Sequence, residues 1–123
     1  MAGRQQIESF IGSSFRSVWA LDVLKFLASH RGSSFSAPQL VAALRASNVV
    51  VAQSLDNLTA AGLVVIDEEG LVSLHEGSPE ESALVQGAIA FYARSPDKVR
   101  RLIIAQTAPG VTAFADAFRF RKD

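Results

Sequence analysis

The sequence predicts a mainly α-helical domain that carries one small β-hairpin. Three observations point there. Apolar residues recur at helical spacing through most of the chain, serine caps and first-turn prolines stand ahead of those stretches, and one pair of β-rich runs flanks an Asp-Glu-Glu-Gly turn. With 123 residues and 49% hydrophobic content, the chain can bury one core but not two independent ones, so residues 1–123 read as a single domain.

The first element is a long N-terminal helix within residues 1–32. No proline interrupts residues 8–30, and Phe15, Val18, Trp19, Leu21, Val23, Leu24, Phe26 and Leu27 cover most of a helix circumference. Arg16, Asp22, Lys25 and Ser29 leave only a narrow wet stripe, which predicts packing on the core with one face and on C-terminal helices or a second subunit with another. Gly32 ends the helix.

Residues 33–76 carry the next group. Phe35 opens it as a short extended piece, and Ser36 with Pro38 starts a helix whose inner stripe is Leu40, Val41 and Leu44. A second cap, Ser47 or Asn48, follows after only a few residues, the spacing of a helix-turn-helix. In the helix it opens, Val51, Leu55 and Leu58 face the core, while Val49, Val50, Gln53, Asp56, Asn57 and Ala60 fall on the other side. Gly62 supplies a left-handed stop, and the β-rich runs 63–66 and 71–74 close over Asp67-Glu68-Glu69-Gly70 as a hairpin.

Residues 77–123 form C-terminal helices. Ser78-Pro79-Glu80-Glu81 opens one with Leu84, Val85, Ala88, Ile89 and Tyr92 on a stripe, and Ser95-Pro96-Asp97 opens another with Val99, Leu102, Ile103 and Ile104. Pro109-Gly110 breaks the chain again. The last stretch sets Phe114 against Phe118 and ends in Arg119, Arg121 and Lys122; with Phe120 it has the composition either of a docking tail for another chain or of a segment that packs on the long first helix.

Leu55-x-x-Leu58-x-x-x-Gly62-Leu63-Val64, followed by a turn and a second β run, resembles the passage from recognition helix to wing in winged helix-turn-helix proteins, MarR-like bacterial regulators included. The resemblance covers roughly residues 35 to 75. It implies a dimeric transcription regulator, or an interaction module in a larger complex, with residues 63–74 as the wing. It also implies that Val49, Val50, Gln53, Asp56 and Asn57 face the ligand. If that ligand is duplex DNA, Gln53 and Asn57 have the chemistry to read adenine and Asp56 to accept from cytosine.

Charge argues for a different ligand. Net charge is zero, yet residues 46–93 carry seven acids and no lysine or arginine, between a first segment of plus three and a last segment of plus four. Phosphate contacts supply most of the sequence-independent affinity for DNA, and the hairpin's Asp67, Glu68 and Glu69 repel them. Cations for a DNA reading have to come from Arg31, Arg45, Lys98 and Arg101, from the C-terminal cluster, or from a second subunit. The reading favoured by the residues is a regulatory protein that contacts a partner with a basic surface through Val49, Val50 and the acidic wing; the alternative is a conventional DNA-binding repressor or activator. A homodimer built on Phe15, Trp19, Phe114 and Phe118 accounts for the high apolar content.

Other classes find no support. The absence of cysteine excludes disulfides and thiol chemistry, and neither His30 nor His75 lies in a metal-ligand or catalytic pattern, so no metal, cofactor or enzymatic activity is expected. The start has no signal-peptide pattern and no apolar run suits a membrane span, which makes a cytoplasmic protein the expectation.

Overall fold

The computed structural model describes residues 3–107. Its elements are α1 (Arg4–Ser14), α2 (Val18–Ser29), α3 (Ala37–Leu44), α4 (Asn48–Ala60), β1 (Val64–Ile66), β2 (Val72–Leu74), α5 (Pro79–Arg94) and α6 (Pro96–Thr107). The chain is mainly helical with one small antiparallel sheet, as expected from its periodicities.

The single N-terminal helix is corrected to two. Phe15 leaves the helix with φ −112° and ψ 130°, and Ser17 starts α2 by accepting the Ala20 N–H on its hydroxyl at 3.2 Å. The reason is tertiary. α1 packs against α5 and α6, whereas α2 packs mainly against α4, and one straight helix cannot serve both. Phe15 sits at the break with 1% of its surface exposed, its ring meeting Phe10 edge-on at 5.6 Å. It is a core residue, so its predicted place in a dimer interface is withdrawn.

The remaining starts and stops follow local chemistry. Ser36 and Gln39 form a reciprocal capping box, with bonds of 3.3 and 2.8 Å. Ser47 caps α4 through the Val50 N–H at 3.1 Å, and Ser78 caps α5 through that of Glu81 at 3.2 Å. At the end of α4, the Leu63 N–H donates to the Leu58 carbonyl and the Gly62 N–H to that of Thr59, the paired bonds of a Schellman stop. Gly62 holds φ +74°, which a side chain would strain.

In the sheet, Val64 faces Leu74, Val65 faces Ser73 and Ile66 faces Val72. Phe35 exchanges two backbone hydrogen bonds, of 2.9 and 2.7 Å, with Val72 on the other side of β2. The order is therefore Phe35, β2, β1, and β1 is the edge. Ile11, Phe15, Leu21, Leu24, Leu27, Leu40, Val51, Leu58, Val72, Val99 and Ile103 belong to one continuous core that joins the two helical groups. Of the apolar residues of α6, Val99 and Ile103 are buried and Ile104 is 55% exposed.

Candidate interaction surface

Helix α4 presents a stripe. Val49, Gln53 and Asp56, spaced four and three apart, are all exposed, whereas Val51, Ser54, Leu55 and Leu58 are buried. Val49 is 63% exposed at the second position of the helix, where its branched side chain gains nothing from propensity. Val50 is half-buried, so it is as much a support for the helix as a contact.

Asn57 does something the sequence reading did not anticipate. Its Nδ2 donates to the Ser14 carbonyl at 2.8 Å, and its Oδ1 accepts from the Arg16 N–H at 2.8 Å. Both ends of the amide bracket the α1–α2 break, satisfying backbone groups that the interrupted helices leave over. As a base reader it is corrected: contacting an adenine requires giving up both bonds, at about 1 kcal/mol each or more.

The hairpin is the second predicted part of the site. One Asp67 carboxylate oxygen accepts the N–H groups of Glu69 and Leu71, each at 2.9 Å, while Gly70 takes φ +82°. Asp67 therefore builds the turn. Glu68 and Glu69 are exposed and make no ion pair among the described residues. Val65 and Ile66 are 47% and 43% exposed, two apolar residues that the sequence reading had not assigned to the surface. Alternation along the strand marks Val65 as outward, because Val64 is buried beside it. Ile66 carries no such signal, since it pairs with the buried Val72 and is exposed only by lying at the end of a short edge strand.

The candidate cations do not gather. Arg31 approaches Glu76 at 3.7 Å and donates to the Ser82 hydroxyl at 3.1 Å, beside the start of α5. Lys98 lies 3.7 Å from Glu8 and over the Phe91 ring, on the α1–α6 side. Arg101 is exposed on α6. Arg45, the left-handed residue of the α3–α4 turn with φ 55°, is the only one of the four whose chain position borders the α4 stripe.

A separate open hollow of about 490 Å³ lies where α2, α5 and α6 meet, lined by Arg16, Trp19, Asp22, Tyr92, Arg100 and Ile104 among others. Trp19, a predicted dimer residue, is 41% exposed on its rim; Phe114 and Phe118, its predicted companions, lie outside the described residues. Tyr92 donates its hydroxyl hydrogen bond to Asp22. Burial first, then that hydrogen bond and the Asp22 charge, pushes the Tyr92 hydroxyl up to about 12. Burial also raises the Asp22 carboxyl, against the lowering effects of Tyr92, Lys25 and Arg100.

Among the described residues no cluster of three or more His, Cys, Asp or Glu is placed to hold a metal, and no helix is long and apolar enough to cross a membrane. No family model, no curated protein and no solved structure matches the chain.

Proposed function

We propose that this chain is a winged-helix regulatory protein of the transcription type, cytoplasmic and without enzymatic activity, that works through protein contacts made by α4 and the hairpin. The winged-helix reading is supported by the order of elements: a helix, the extended Phe35, two helices joined by a three-residue turn, then the hairpin, with β2 between Phe35 and β1. The observation that carries the protein-contact reading is the composition of the exposed face. Val49, Val65 and Ile66 stand with Asp56, Glu68 and Glu69, and no lysine or arginine occurs anywhere in α4 or the hairpin. Such a surface offers apolar area worth about 1.5 to 3 kcal/mol per side chain fully covered, and a field that selects a basic partner.

Titrating labelled mixed-sequence duplex DNA with the protein at about 50 and about 200 mM salt separates this reading from groove binding. Weak association, unchanged by Gln53→Ala, is the expected result. Tight association with a steep salt slope that Gln53→Ala weakens overturns the protein-contact reading in favour of a DNA-binding repressor or activator. A homodimer through the Trp19 surface belongs to the same proposal, supported by the exposure of Trp19 and Ile104 around one hollow.

A further inference from the structure

The edge of β1 is open in a specific way. Hydrogen bonds from the His75 N–H to the Leu63 carbonyl and from the Asp67 N–H to the Leu71 carbonyl set the phase of the ladder, so Val65 exchanges its bonds with Ser73. Val64 and Ile66 therefore direct their N–H and C=O groups away from β2, and these groups take no hydrogen bond among the described residues. Sheet edges are ordinarily guarded by a lysine, a proline or a bulge. β1 has none of these: Val64, Val65 and Ile66 pair with Leu74, Ser73 and Val72 without a skipped residue.

Side chains and charge narrow what such an edge can take. Val65 and Ile66, 47% and 43% exposed, point to opposite faces of the strand, so apolar surface flanks the edge on both sides. Past Ile66 come Glu68 and Glu69, exposed and without an ion pair among the described residues. Three residues offer few backbone bonds, each of modest net worth, so an added strand has to draw on those glutamates as well. A second copy of the hairpin brings the same acids and no lysine or arginine, and pairing two copies edge to edge leaves the glutamates of both unanswered.

We infer that the open edge of β1 takes an extended segment of a partner protein, with apolar residues along Val65 and Ile66 and lysine or arginine at the end that runs past the hairpin turn. The inference rests on the protein-contact reading and deepens it: the partner is recognised as an added strand. In antiparallel pairing the residue opposite Val65 falls in the closely approaching pair that exchanges no hydrogen bonds, so that position selects a β-branched apolar side chain. Val64 and Ile66 bond the backbone of the flanking residues whatever their side chains. Backbone bonds thus recognise the extended shape, Val65 and Ile66 the apolar residues, and Glu68 with Glu69 the charge.

The probe is an end-capped peptide, Lys-Arg-Thr-Val-Thr-Val-Thr-Arg-Lys, titrated into the full chain at about 50 mM salt and read by residue-resolved amide hydrogen exchange. At saturation the Val64 and Ile66 amides are expected to slow by about tenfold or more. The Val65 amide, already bonded to Ser73, changes little, and an unchanged Leu24 amide in α2 certifies the fold. Proline in place of both valines of the peptide keeps its charge and removes the protection. Ile66→Pro deletes an N–H that bonds nothing among the described residues and weakens binding about tenfold or more. Glu68→Lys/Glu69→Lys weakens the basic peptide and admits a counterpart with glutamate at each of its lysines and arginines. Unchanged Ile66 exchange overturns the inference, and so does equal binding of the proline peptide, which marks diffuse charge attraction. Ile66 protection that rises with protein concentration in the absence of peptide also overturns it, because a second copy then occupies the edge. Each of these failures leaves the protein-contact reading standing, since that reading falls only on the DNA titration.

Discussion

Two residues decide more than their neighbours. Asn57 links α4 to the α1–α2 break through two bonds of 2.8 Å. Asn57→Ala strands the Ser14 carbonyl and the Arg16 N–H, and because water reaches part of this region the expected loss is about 1 to 2 kcal/mol, read as a lower urea midpoint with unchanged slope. Val49→Asp, about two helical turns away on the exposed stripe, should leave the midpoint within about 0.5 kcal/mol. Asp22 acts in the opposite sense. Its carboxyl is raised above its ordinary 3.8 by burial, so it favours folding while protonated at low pH, and its ionisation works against the fold once pH rises through the folded value. Asp22→Asn keeps an acceptor for Tyr92 and has nothing to ionise. Its melting temperature should exceed the wild type's at pH 7, and the gap should close as pH falls below the carboxylate range.

At the scale of elements, legibility follows sequence distance. Ser36, Ser47, Ser78, Gly62 and Gly70 act on groups within a few residues of themselves, and the sequence points to each of them, to Ser47 with Asn48 as its alternative. The α1–α2 break escaped because only its Ser17 cap is local: Asn57 lies 41 residues from Arg16 and 43 from Ser14, while apolar residues keep a helical spacing through Phe15, Val18 and Trp19. The same distance explains the candidate face. Its charge was visible in the composition of residues 46–93, but the engagement of Asn57 depends on partners far away in the chain, and the exposure of Ile66 on its place at the end of an edge strand. The α1–α5 contact is another remote dependence. A Cβ on Gly87 would stand 2.5 Å from Ile7 Cδ1 and 2.9 Å from its Cγ1, so the two helices approach through the missing side chain. Gly87→Val is expected to destabilise by about 1 to 3 kcal/mol, and Ile7→Ala in the same chain should recover part of that, a favourable coupling read by a double-mutant cycle in urea.

At the largest scale the described residues form two helical groups sharing one core, α2, α3 and α4 with the sheet on one side and α1, α5 and α6 on the other. The groups present different chemistry. The first ends in an acidic hairpin with apolar residues at its edge; the second carries Arg94, Lys98, Arg100 and Arg101 on or beside α6, partly answered by Glu8 and Asp97. The seam between them is where Trp19 and Ile104 surround the hollow with Arg16 and Arg100. An indole left 41% exposed beside an isoleucine 55% exposed is apolar area, and the proposed twofold contact across the seam would cover both at once. Light scattering should then give a dimer at micromolar concentration, and Trp19→Asp should give a monomer with unchanged helicity, because the indole contributes little to the interior. A wild type that remains monomeric across that range removes the dimer and leaves the hairpin face untouched, since no residue of α4 or the hairpin lines that hollow.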